Sequence, residues 1–341
     1  MNNPSPAGKS DQRYKFAKLQ ILIADSDHRS AQLVKQILSA FGIRRVDIVH
    51  NGEDALTALK AQRIDLLVTE WSIDGIDGLT LVRAIRSAKN HKFMRFDMPV
   101  LMLTGRASKD HVHLARDAGI TEFVAKPFSA KTISNRLIEI IDRPRVFVET
   151  PSYRGPSRRR KEGPPPGTAD RRIPREQRER MADAPKVTIT RANFALRDLV
   201  DGASASDIIT TDIIEEAQTE VLKVEGEFVA WVKDDIAKLE AAYATLFETP
   251  PDKTARRQLL DATYTIKSQS GTFGYELGTI VADLLINYLA EHPELKENNF
   301  IVIRKHIDTM SVIFTQKLKE ADGAVGLALI GSLSKLVAKF A

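Results

Sequence analysis

Four side chains in the N-terminal part of the chain stand at the ends of apolar runs. Asp25 follows Leu19–Ala24, Glu70 follows Ile64–Thr69, Thr104 follows Val100–Leu103 and Lys126 follows Glu122–Ala125. Carboxylate oxygens are the ligands a hard cation such as Mg2+ takes. A partly buried lysine beside a carboxylate forms an ion pair instead. Ser26 and Asp27 come directly after Asp25, and Asp74 and Asp77 lie just beyond Glu70. A second candidate lies far downstream, where Tyr264 and Lys267 stand three apart and share a helix face. Tyrosine, with an ordinary pKa of about 10, is a poor nucleophile at neutral pH. There is no cysteine, which excludes a disulfide framework and thiolate metal sites and fits a reducing cytosol.

The elements that must hold the first set alternate in type. Strand-like runs at Leu19–Ala24, Val46–Val49, Ile64–Thr69, Val100–Leu103 and Glu122–Ala125 alternate with helix-like runs at Ala31–Phe41, Gly52–Ala61, Leu79–Ala88, Ser108–Ala118 and Ser129–Ile141. Five strands interleaved with five helices predict an α/β domain, a five-stranded parallel sheet covered on both faces. Gly42, Gly52, Gly78, Gly105 and Gly119 fall at the junctions. Ligands of such sheets bind at the carboxyl ends of the strands, which is where Asp25, Glu70, Thr104 and Lys126 fall.

Between residues 151 and 185 there are seven prolines and ten Lys or Arg against five Asp or Glu. The net charge of the whole chain is +5, so the remainder carries 40 charges of each sign and all the excess lies in this segment. Its composition predicts a disordered, semi-rigid linker, taken as residues 144–205. A solvated spacer is the plain reading. Sequence-specific nucleic-acid binding is disfavoured because no reader motif accompanies the arginines. From 206 to 341 the pattern is helical throughout, with runs to Leu246, at 252–271, at 275–290, at 295–320 and at 326–340, which predicts an all-α antiparallel bundle. Residues 1–16 are polar and read as a disordered N-terminus without a signal-peptide core. No run reaches the roughly 18 apolar residues of a membrane span, so membrane insertion is not expected and the expected location is the cytoplasm.

The segment Asp65–Leu79 resembles the part of bacterial response-regulator receiver (CheY-like) domains in which a buried strand ends on a phospho-accepting Asp. The resemblance covers residues 17–143 and implies a flavodoxin-like fold. It puts Glu70 on the acceptor position, Asp25, Ser26 and Asp27 on the acidic pocket, Thr104 and Phe123 on the switch positions, and Lys126 on the phosphate clamp. At Ser26 the family carries another acid that ligates Mg2+ directly. Glutamate places its carboxylate roughly 1.5 Å further out, a severe misplacement where positioning is nearly all of the catalysis. Asp25 and Glu70 are then at best weak Mg2+ ligands, and no other cofactor is expected. A fixed anion at position 70 also imitates, imperfectly, a phosphorylated aspartate.

The stretch Ala262–Gly274 is similar to the signature of histidine-containing phosphotransfer (HPt) domains. In that register Tyr264 falls on the phosphorylated histidine, Lys267 on the adjacent lysine and Ser268 on the glycine that lets a partner approach. Tyrosine cannot form the phosphoramidate. His306, on a later helix beside Lys305, reads as solvated. Together the resemblances imply a non-enzymatic two-component adaptor that docks with a sensor kinase, a response regulator or a phosphotransfer protein. Two alternatives stay open: a working phosphorelay component accepting phosphate on Asp74 or Asp77, and a nucleic-acid-associated output regulator acting through the arginine-rich segment.

Overall fold

A computed structural model of the chain describes residues 14–88, 91–105, 108–150, 152–157, 188–190, 196–200, 203–223, 225–249 and 252–340. Contacts divide the chain into two compact units, one including most of the chain up to Ile214 and the other including the helices from Glu215 onward.

The first unit is built on strands β1 (Gln20–Ala24), β2 (Arg45–Val49), β3 (Leu66–Thr69), β4 (Val100–Thr104) and β5 (Glu122–Ala125) in the order β2-β1-β3-β4-β5. Helices α1 (His28–Ala40), α2 (Gly52–Ala61), α3 (Gly78–Ser87), α4 (Lys109–Ala118) and α5 (Ala130–Asp142) connect and follow them. The inner strands β3 and β4 are buried at every residue, whereas the edge strands β2 and β5 mix buried and exposed positions. Inner strands covered by helices on both faces need apolar residues on both sides, which explains their unbroken apolar runs.

Helix starts are set by side-chain caps. Asp27 accepts from the Arg29 amide, Asn51 from Asp54, Asp77 from Thr80 and Ser108 from His111. Helix α1 therefore begins three residues before the expected Ala31, because its first turn is polar and carries no periodic signal. Gly78 opens α3 against the Glu70 carbonyl oxygen, so close that any Cβ there would lie 2.0 Å from it.

Both expectations of disorder need correction at their bounds. The N-terminal tail does not extend to residue 16: Tyr14–Phe16 forms a 3-10 turn and Phe16 is fully buried. Nor does a linker begin at 144. Strands β6 (Phe147–Glu149), β7 (Arg154–Pro156) and β8 (Thr188–Thr190) form an antiparallel sheet in the order β7-β6-β8. Phe147 is buried and meets the Phe96 ring edge-on at 6.1 Å, while the Arg154 guanidinium lies 3.9 Å over that ring and donates to the Ala88 carbonyl. Helices α6 (Leu196–Leu199) and α7 (Ala205–Ile208) also belong to this unit, with Leu196, Val200, Ala205 and Ile208 buried. Three-residue strands leave no periodicity to read; their existence depends on burial against distant residues. The arginine- and proline-rich stretch from 158 to 187 lies outside the described residues.

Arg86 shows how tightly this unit is bound. It donates to the carbonyls of Gly119, Phe96 and Met98, and burial pushes its pKa down to about 10, with Tyr153 and Asp97 opposing.

The second unit contains α8 (Thr211–Lys223, whose start belongs to the first), α9 (Glu225–Glu248), α10 (Lys253–Thr272), α11 (Glu276–Glu291), α12 (Glu297–Thr315) and α13 (Ala324–Phe340). Its helical character is as expected, but it begins near 215 rather than 206. An aromatic cluster forms its centre: Phe228 stacks on Phe273 at 4.6 Å and packs against Tyr275 and Phe314. Gly274 (φ +75°) makes the turn between α10 and α11, a left-handed backbone that a side chain disfavours. The run expected to Glu320 stops at Thr315. His306, expected to be solvated, is fully buried. Its Nδ1 bonds the Val302 carbonyl at 2.8 Å, and its Nε2 has no partner.

Candidate functional site

The sheet sets the four strand-end residues along one edge. The Asp25 amide donates to Val49, the Glu70 amide to Ala24 and the Lys126 amide to Thr104, so the ladder continues to the residues that end β1, β3 and β5. Asp25, Thr104 and Lys126 are buried and Glu70 is half-buried. Phe123 is half-buried on β5, packed against the core cluster on that face of the sheet.

The acidic positions are bound up in local structure. The Asp25 carboxylate accepts from the Asp27 amide at 2.9 Å, and the Asp27 carboxylate caps α1 through the Arg29 amide at 3.0 Å. Ser26 Oγ accepts from the Asp74 amide at 3.0 Å, tying the loop after β1 to the loop after β3. Glu70 Oε1 accepts from the amide of the next residue, Trp71, at 2.7 Å. The extra methylene permits this bond: an aspartate here closes a ring one atom smaller and bends the N–H···O angle away from linearity. Asp77 uses both carboxylate oxygens on Thr80, as the cap of α3.

These residues are a poor fit to a Mg2+ site. Magnesium needs several oxygens in near-octahedral array. Ser26 brings no anion, and one oxygen each of the Asp27 and Glu70 carboxylates accepts from a backbone amide. Among the described residues no three His, Cys, Asp or Glu side chains gather as a metal site.

On the helical unit, α10 carries Tyr264, Lys267 and Ser268 within little more than one turn. Lys267 Nζ pairs with Asp283 Oδ1 of α11. Phe273, which caps the end of α10, is buried in the aromatic centre.

Several contacts here had no signal in the sequence. His50 Nδ1 bonds the Asp25 carbonyl at 2.9 Å, and its ring stacks on His28 at 3.4 Å between centroids. Trp71 meets His111 edge-on at 4.9 Å, and His111 Nδ1 lies 2.6 Å from Ser108 Oγ, the cap of α4. Residues 71 and 111 belong to different elements, and only the fold brings them together.

Residues 21–138 match the family described as response regulator receiver domain. The chain is 32% identical over 125 residues to chemotaxis protein CheY of Pseudomonas aeruginosa, covering 98% of that protein and 37% of this one. It is equally similar to chemotaxis protein CheY-3 of Vibrio cholerae, covering 93% of it. A crystal structure of a putative response regulator from Chloroflexus aurantiacus is 29% identical with a TM-score of 0.34, over 98% of that chain and 37% of this one. The chain belongs to the response regulator receiver family, the signal-receiving class of two-component signalling, and it carries a helical C-terminal region in addition.

Proposed function

We propose that this protein is a two-component signalling adaptor whose receiver acts without phosphoryl transfer, by docking on other proteins. The observation that carries this reading is the Glu70–Trp71 bond: the carboxylate at the acceptor position is folded onto the next backbone amide. A nucleophile must be held in line with the phosphoryl group, and one oxygen of this carboxylate is engaged by its own backbone instead. The poor fit to Mg2+ points the same way. The helical region is read as a degenerate HPt-like module, with Tyr264 on the histidine position. Lys267, the cation that neutralises phosphate in the resembled family, is spent on Asp283. Sensor kinases, response regulators and phosphotransfer proteins are the partner classes, with the receiver presenting the surface around Phe123 and α4. The protein acts in the cytoplasm and is not itself an enzyme. Acceptance of phosphate on Asp77 is disfavoured because that side chain caps α3.

The test is incubation of the full chain with a small-molecule phosphodonor and Mg2+, read by intact mass. We expect no phosphoryl adduct on residues 17–143; a labile adduct there, formed at a useful rate, overturns the reading.

A further inference from the structure

One oxygen of Glu70 makes a contact that leads along the chain to Trp71. The carboxylate fixes the Trp71 amide, and the Trp71 carbonyl accepts from the Gly78 amide at 3.0 Å, so both peptide groups of Trp71 are held. Gly78 also lies so close to the Glu70 carbonyl oxygen that a Cβ there would be 2.0 Å from it. The half-buried Trp71 side chain packs on the core on one side and meets His111 edge-on at 4.9 Å on the other. His111 lies in the first turn of α4 and is bound twice to the Ser108 cap, through Nδ1 at 2.6 Å and through its amide at 3.3 Å. Further along the same helix Val112 and Leu114 stand exposed.

We infer that Glu70 is a positioning residue: it clamps Trp71, and Trp71 through His111 sets the first turn of α4, the helix that presents Val112 and Leu114. This deepens the phosphate-independent reading of position 70, on which it rests. A side chain that in a phospho-acceptor would await a phosphoryl group here holds the helix in one setting permanently. The clamp needs a hydrogen-bond acceptor of glutamate length and does not need charge. It therefore differs from mimicry of a phosphorylated aspartate, which needs the negative charge.

The experiment is amide hydrogen exchange over residues 108–114 in the full chain, comparing wild type with Glu70→Gln, Glu70→Ala and His111→Ala. Glutamine keeps the acceptor and loses the charge, so Glu70→Gln should exchange like wild type. Glu70→Ala should exchange about five-fold faster there, the factor expected for one lost hydrogen bond. His111→Ala should do the same, and the double variant should be no faster than either single. Unchanged exchange in Glu70→Ala, or Glu70→Gln behaving like Glu70→Ala, overturns the inference. If Glu70→Ala fails to fold, unchanged exchange in His111→Ala alone overturns it. A phosphoryl adduct on the wild-type receiver would instead sink the phosphate-independent reading, which separates the two failures.

Discussion

One methylene at position 70 changes which atoms a carboxylate can reach, and the residues around it show the same economy. Asp27, which the resemblance put in the acidic pocket, and Asp77, an alternative acceptor, are both helix caps. Capping by such a residue typically contributes about 1 kcal/mol, enough to explain their presence without any phosphate chemistry. His306 is the other residue whose role depends on surroundings. Burial pushes its imidazole below the ordinary histidine value, against a raising contribution from the Val302 carbonyl. The folded protein therefore takes up this proton only at a pH below that of the unfolded chain, whose histidine titrates at about 6.5. Above that value the group costs nothing. As pH falls below it, the unfolded state gains a proton first and stability is lost. Thermal unfolding of the helical unit should accordingly shift to lower temperature between pH 7.5 and pH 5.5, and His306→Gln should lessen the shift. A pH dependence unchanged by that substitution would contradict the assignment.

At the scale of elements, the long helices and inner strands follow from periodicity, while the short pieces follow from contacts. Helix α7 spans four residues, too few to be stable alone. What holds its start is Asp142, at the end of α5, which accepts from the Ser204 hydroxyl at 2.6 Å and from the amides of Ala205 and Ser206. Burial pushes the Asp142 carboxyl up, yet these bonds together hold it below its usual value. Asp142→Ala should therefore speed amide exchange in residues 205–209 and destabilise the first unit by about 1 kcal/mol. Urea unfolding with exchange mass spectrometry checks both. Protection at 205–209 that survives the substitution would show the helix to be held by burial of Ala205 and Ile208 alone. Helix α4 belongs to the same scale: its spacing was readable, but its tie to residue 70 through Trp71 and His111 was not.

For the whole molecule, the residues that flank the basic segment are folded where composition suggested linker. Both its flanks pair with β6, through β7 on one side and β8 on the other. The strands on either side of residues 158–187 thus belong to one sheet of the first unit. A protease site introduced at Gly163 should, once cut, leave two fragments that co-elute on gel filtration. The later fragment keeps β8, the buried Leu196 and Val200, and the Asp142 bonds. Separation of the fragments without denaturant would refute this arrangement. No helix among the described residues is long and apolar enough to cross a membrane.

The amino-acid order alone determined the alternation of strands and helices, the carboxyl edge holding Asp25, Glu70, Thr104 and Lys126, and the helical character of the C-terminal region. Those properties live in local periodicity and in the apolar character of neighbouring residues, which a linear chain displays. Tertiary structure decided that Glu70 Oε1 accepts from a backbone amide, that Lys267 pairs with Asp283, that His306 is buried and that Phe147–Glu149 and Arg154–Pro156 are strands. Each of these depends on which atoms a particular side chain meets once the backbone has closed, and Lys267 and the short strands find their partners on other elements. Spacing along the chain carries no record of such meetings.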